Sequence, residues 1–259
     1  MSDPILLQRD GAIATVVLNN PDSLNAFTER SWSLLGETMR ELSADESLRC
    51  VILRGAGEKA FAAGADVAEF GRVRADSGVA RQYGKLIHAA MQSVANCRHP
   101  TLAQIHGVCV GGGLEIASMC DLRICGASSR FGIPVNKLGL VMAYGELQGL
   151  LSVVGRAAAL EILLEGRVFG ADEALAKGLV NRIVADDRVA EECRGAAERI
   201  AAGAPLVARW HKKFIRRLAD PAPIPAAEWD EGFACFDTED YAIGRAAFLA
   251  KAKAEFKGC

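Results

Sequence analysis

The sequence predicts an α/β fold, and three observations carry the prediction. Short apolar runs alternate with longer stretches of helical period through most of the chain. Glycine-rich turns stand directly after apolar runs, where a strand hands over to a helix. The final part of the chain, beyond about residue 200, reads as helical pieces with no strand among them.

Taken in order, Ile5-Leu6-Leu7 and Ile13 to Leu18 flank Asp10-Gly11 and read as an opening hairpin. Thr28 to Glu46 places Trp32, Leu34, Leu35, Met39 and Leu42 near helical period. Val51-Ile52-Leu53, inside Cys50 to Gly55, is a short buried strand. Residues 79 to 97 are helical again, and Pro100 ends that helix. Thr101 to Ile105 is a strand that runs into a glycine stretch, and Leu122 to Cys125 is another. From about residue 145 the pattern is helical, with one strand near Val180 to Val184. Pro221, Pro223 and Pro225 divide the tail. No internal repeat is visible.

The chain has 259 residues, 51% hydrophobic and 24% charged, as expected for a globular protein. A net charge of −2 gives no field to attract nucleic acid or an anionic membrane, so neither is expected as a partner. Lys212, Lys213, Arg216 and Arg217 form one basic face of a helix, read as solvated or as a phosphate contact. The eight cysteines make no C-x-x-C, and Cys109, Cys120 and Cys125 sit in apolar runs as small hydrophobes. No structural zinc, no secretory signal at Met1 to Asp10 and no membrane span are expected. A reducing cytoplasm fits this usage.

Chemistry concentrates in His106 to Glu115, HGVCVGGGLE. Three glycines open a helix whose first N–H groups lack internal partners and can receive a negative oxygen. Glu115 then stands beside that oxygen as an acid or base, although a carboxylate in a first helical turn is also favourable through the dipole alone. The stretch is neither a Walker loop nor a dinucleotide fingerprint. A second small-residue element, Lys59 to Asp66, follows the strand Cys50 to Gly55. His88, His99 and His211 have no metal-ligand partners in the pattern, and His106 reads as structural.

These elements resemble the crotonase superfamily, also called the enoyl-CoA hydratase/isomerase family, across nearly the whole chain. The match runs through Asn25-Ala26, Lys59 to Asp66, Gly111 to Asp121, Phe131 to Pro134, Gly155-Arg156, Leu163 to Arg167, Ala174 to Val184 and Ala247 to Lys251. The resemblance implies a spiral of ββα turns over residues 1–200 that binds acyl-CoA, and a helical region over 201–259 that packs in trimerisation. Coenzyme A arrives as part of the substrate, so no separate cofactor is expected.

Carried over by position, the amides of Ala65 and Gly112 polarise the thioester carbonyl, and Glu115 matches the first of two catalytic glutamates. The second is missing: Val135 stands in its place, after Phe131-Gly132-Ile133-Pro134. Glu146 or Tyr144, in the loop over the acyl pocket, is a substitute, against a plain capping role for Glu146. Leu24, Asn25, Ala26, Lys59 and Ala63 match the lining of the CoA nucleotide site. Gly111 and Val135 adjoin the substrate, Asp66 is mainly structural, and Lys251 or Lys253 from a neighbouring subunit reaches a CoA phosphate.

The leading expectation is enoyl-CoA hydration in a homotrimer or a hexamer of two trimers. A single-carboxylate isomerase, decarboxylase or thioester hydrolase is the alternative, and a catalytically weak acyl-CoA binder is the competing class.

Overall fold

Asp10-Gly11 turns the chain sharply, with Gly11 at φ 55°, so β1 (Ile5–Asp10) pairs antiparallel with β2 (Ile13–Leu18). The computed structural model describes residues 3–259. After the hairpin comes α1 (Glu29–Ala44), capped by Thr28, whose hydroxyl accepts from the Ser31 N–H. Three turns of one pattern follow, each a strand, a shorter strand and helix. The first is β3 (Cys50–Gly55), β4 (Ala60–Ala62), α2 (Phe70–Val73) and α3 (Ser77–Ala95). The second is β5 (Thr101–Ile105), β6 (Val108–Val110) and α4 (Gly112–Met119). The third is β7 (Leu122–Gly126), β8 (Arg130–Gly132) and α5 (Tyr144–Glu165).

The chain closes with β9 (Phe169–Gly170), α6 (Ala171–Ala176), β10 (Arg182–Val184), α7 (Val189–Ala201), α8 (Pro205–Arg217), α9 (Ala226–Glu231) and α10 (Glu239–Ala250). The first strand of each turn enters a six-stranded sheet, β1-β2-β3-β5-β7-β10, parallel from β2 onward. The second enters a four-stranded sheet, β4-β6-β8-β9. Dealing strands alternately to two sheets winds the chain as a spiral, as the resemblance implied. The sequence concealed β4, β6, β8 and β9, because runs of two or three residues carry no period.

Both faces of the large sheet are buried, which explains the unbroken apolar run of β3. Val51 and Leu53 face the main core with Trp32, Leu35 and Met39 of α1 and Ile87 and Met91 of α3. Cys50 and Ile52 face the other way, against Val189, Cys193 and Ala197 of α7. Full burial of each such large side chain stabilises by about 1.5–3 kcal/mol.

Three sequence readings bear comparison with the structure. The basic face of α8 is solvated only in part, at Lys213 and Arg216. Lys212 is 8% exposed at its side chain and donates to Asp121 at 2.7 Å and to the His99 carbonyl at 3.1 Å. Arg216 donates to the Ala95 carbonyl at 2.5 Å, and Arg217 pairs with Glu228 at 2.6 Å. Lys212 and Arg216 tie the tail to the body, because buried carbonyls and carboxylates need donors, and Arg217 joins α8 to α9. Second, α5 is long and apolar enough to pass for a membrane span. Gly155, at φ 71° and ψ 175°, breaks it into two helices, and its residues pack on α3 and α4. Third, the helix read at 79–97 spans Ser77–Ala95, because Asp76 caps it early by accepting from Gly78 and Val79.

Candidate active site

Two backbone amides define the site, and local geometry leaves both without acceptors. Phe27 runs beside Ala65: the Phe27 N–H donates to the Gly64 carbonyl at 2.7 Å, and the Asp66 N–H donates to the Phe27 carbonyl at 2.7 Å. In that parallel bridge the Ala65 N–H faces the opposite side. Gly112 is the first residue of α4, so its N–H has no intrahelical acceptor. Among the described residues no backbone carbonyl accepts from either.

Glycine keeps this pair open. Gly64 lies at φ 97°, and a Cβ there would stand 3.4 Å from the Gly112 nitrogen. A Cβ on Gly112 would stand 3.6 Å from the Ala65 nitrogen and 3.2 Å from the Trp32 ring. The bare space between the two amides can therefore accept an oxygen atom. Gly113 sets their relative position, since its Cβ would fall 2.2 Å from the Ala62 carbonyl oxygen. Only glycine lets α4 pack this closely on β4.

The amides open on a cavity of about 110 Å³. Ala63, Ala65, Gly111, Gly112, Glu115, Val135 and Glu146 all line it. Its walls add Trp32, Phe70, Ile87, Leu138 and Met142. Trp32 is fixed from behind by Phe27, whose ring stacks on it at 4.0 Å.

Glu115 is 7% exposed, and its carboxyl accepts no hydrogen bond from the described residues. Burial, helped by the negative charge of Glu146, pushes its pKa up from 4.5 to about 8, against a smaller lowering by Arg74. Glu115 therefore carries a proton at neutral pH in the free protein. Glu146 caps a helix and also stands at the cavity. One carboxylate oxygen accepts from the Ala143 N–H at 2.6 Å and caps α5, while the residue also lines the cavity. Val135 contributes only an apolar surface beside Pro134. Tyr144 is exposed and is not among the lining residues.

The positions read as a CoA nucleotide site are more scattered. Leu24 accepts from the Ala63 N–H at 3.0 Å, which brings Leu24 to Ala26 against the rim of the cavity. The Asn25 side chain is not available to a ligand. It is buried and donates to the carbonyls of Ala56 and Ala60 at 3.1 and 2.8 Å. Its left-handed backbone, φ 58°, follows Leu24 at φ 52°, and these bonds hold that turn. Lys59 is exposed, and its carbonyl accepts from Val108 at 3.1 Å. Asp66 is structural, accepting from the Ala68 N–H at 3.0 Å. Lys251 and Lys253 lie beyond α10, away from the cavity lining of their own chain. Sequence reasoning missed Arg74 in the cavity wall, since a lone arginine after a four-residue helix carries no pattern.

Comparison with known proteins agrees with this geometry. A profile of the enoyl-CoA hydratase/isomerase family matches residues 8–259. A "probable enoyl-CoA hydratase" of Rhizobium meliloti is 37% identical over 258 residues, covering 98% of each chain. A "short-chain-enoyl-CoA hydratase" of Clostridium acetobutylicum is 33% identical, covering 97% of this chain and 96% of its own. A crystal structure described as an "enoyl-CoA hydratase/carnithine racemase" of Magnetospirillum magneticum superposes with a TM-score of 0.98 at 53% identity. It covers 100% of this chain and 97% of its own.

Proposed function

The chain belongs to the enoyl-CoA hydratase/isomerase family, and we propose that its own reaction is the addition of water to a 2-enoyl-CoA. The observation that carries this reading is the pair of acceptor-free amides, Ala65 and Gly112, on the same small cavity as the buried acid Glu115. The thioester oxygen sits between the amides. As water bonds to C3, the C2–C3 π pair moves toward that oxygen, where two fixed donors stabilise the charge. The pair then returns to Cα, which takes the proton of Glu115. The attacking water gives its proton to the free oxygen of Glu146, and exchange through solvent returns a proton to Glu115.

The test is steady-state hydration of crotonyl-CoA by the purified protein and by the Glu115→Gln and Glu146→Gln variants. Hydration that needs both glutamates supports the scheme. Absence of hydration with retained binding of the thioester rejects it. One observation favours a second reading: Val135 faces the cavity, and one oxygen of Glu146 is engaged at a helix terminus. A single-carboxylate isomerase, decarboxylase or thioester hydrolase needs only Glu115. Proton exchange at Cα without hydration identifies that case. A pure acyl-CoA binder has no use for an acid held at about pKa 8.

Assembly belongs to the same reading. Phe233, Phe236 and Leu249 are exposed on the tail, and Phe248 is 84% exposed. Clustered apolar side chains of this kind mark an interface, and we assign them to a trimer, paired into a hexamer. In that assembly Lys251 of one subunit reaches the CoA of the next. Six buried free thiols fit a reducing cytoplasm.

A further inference from the structure

We infer that the acyl pocket is built for thioesters whose acyl chain ends in a second carboxylate, and that Arg74 is the residue that binds it. The inference rests on the acyl-CoA reading above. It starts from a cation with nothing to neutralise it. Arg74 lines the cavity that holds Glu115 and the two amides. Among the described residues it forms no salt bridge, and its buried Nε has no hydrogen-bond partner. Its neighbour Arg72 takes the nearby carboxylates instead, Glu29 at 2.6 Å and Glu69 at 3.0 Å.

The guanidinium is nevertheless held firmly. Its carbon lies 4.6 Å from the centre of the Phe70 ring and 5.4 Å from that of Tyr83. Aromatic rings grip the faces of a guanidinium and leave its edge, where the N–H groups lie, to bind something else. Two further donors are buried nearby without partners, the Trp32 indole N–H and the Tyr83 hydroxyl. Trp32 lines the same cavity as Arg74. Buried polar groups are normally satisfied, so the Arg74 Nε, on the cavity wall with no partner among the described residues, is short of an acceptor.

That acceptor is an anion. A planar arginine edge matches a carboxylate bidentately, and the low dielectric of an apolar cavity strengthens the pair. The other charges facing Arg74 are Glu115, which holds a proton near neutrality, and Glu146, which is drawn to the α5 terminus by the Ala143 N–H. Neither lies within 4.0 Å of it as an ion-pair partner.

The experiment measures binding, by calorimetry of the full-length protein with saturated thioesters, which have no C2–C3 double bond to hydrate. Two matched pairs serve, succinyl-CoA against butyryl-CoA and glutaryl-CoA against valeryl-CoA. We expect at least one carboxylated thioester to bind about tenfold or more tightly than its neutral partner. In Arg74→Met that ratio should fall by about 10- to 100-fold, and Arg74→Lys should restore only part of it. Equal or weaker binding of both carboxylated thioesters by the parent overturns the inference, as does an unchanged ratio in a folded Arg74→Met. Butyryl-CoA separates the two levels of the argument. If it binds without any preference for carboxylates, only the role of Arg74 is lost. If no thioester binds, the acyl-CoA reading falls with it.

Discussion

Replacing Glu115 by Gln should impair catalysis and stabilise the protein, with a pH dependence that only a buried acid can produce. The folded protein holds the Glu115 proton up to a pKa of about 8, whereas an unfolded chain releases it near 4.5. Below about pH 4.5 the carboxyl is neutral in both states, and Gln differs little from it. Between 4.5 and 8 the unfolded chain has lost a proton that the folded chain keeps, so stability of the parent declines as pH rises. The gap corresponds to about 5 kcal/mol as an upper limit, and relaxation around a charged Glu115 brings it to a few kcal/mol. Glutamine has no charge to bury. Denaturant midpoints at pH 5, 7 and 9 for parent and variant should therefore diverge, with the advantage of Glu115→Gln smallest at the first and largest at the last. Activity should fall by about 10²–10⁴ where the parent is active. Parallel stability profiles would refute the burial argument, and undiminished turnover would refute the assignment of the acid.

Gly112→Ala should keep the fold and lose roughly 10²-fold or more in turnover, since its Cβ occupies the space facing the Ala65 nitrogen at 3.6 Å; circular dichroism beside the crotonyl-CoA assay checks both halves. Val135→Glu should raise hydration if the parent is limited by the missing carboxyl, with a higher pKa for the new group; an unchanged rate in a folded variant shows that Glu146 already suffices. Lys212→Met should destabilise by about 1–3 kcal/mol, because it leaves Asp121 and the His99 carbonyl short of a donor under α8; thermal or urea unfolding reads this directly. Light scattering at micromolar protein should show a trimer or hexamer, and a monomer would contradict the interface read from Phe233, Phe236 and Phe248.

The fold and the site were legible to different depths. Long elements with a clear period, such as α1 and β3, announced themselves, and the glycine run of α4 pointed to an anion site from chemistry alone. The second sheet did not, because β4, β6 and β8 are three residues each and depend on tertiary pairing. Glu115 could be singled out because it follows the glycine run, whereas the amides of Ala65 and Gly112 came only from the family resemblance. Asn25 could not be read correctly. Its amide ties one turn to the carbonyls of Ala56 and Ala60, more than thirty residues away, and no local pattern reports such a bond. Arg74 was invisible for the same reason, since what defines it is the absence of a carboxylate in three dimensions.

The close contact of Gly113 with the Ala62 carbonyl has a consequence for how this site can change. One amide comes from the first turn of the spiral and the other from the second, so the distance between them is fixed by the pitch of the winding. The wall of the acyl cavity comes from elsewhere: Phe70 and Arg74 from the start of α2 and the residue after it, and Leu138 to Met142 from the segment before α5. These segments can be lengthened, shortened or recharged without disturbing the packing of α4 on β4. The molecule thus separates a rigid gauge for one oxygen atom from an adjustable mould for the rest of the acyl group. Selectivity can be retuned in the mould while the gauge, and the thioester activation it supports, stays constant.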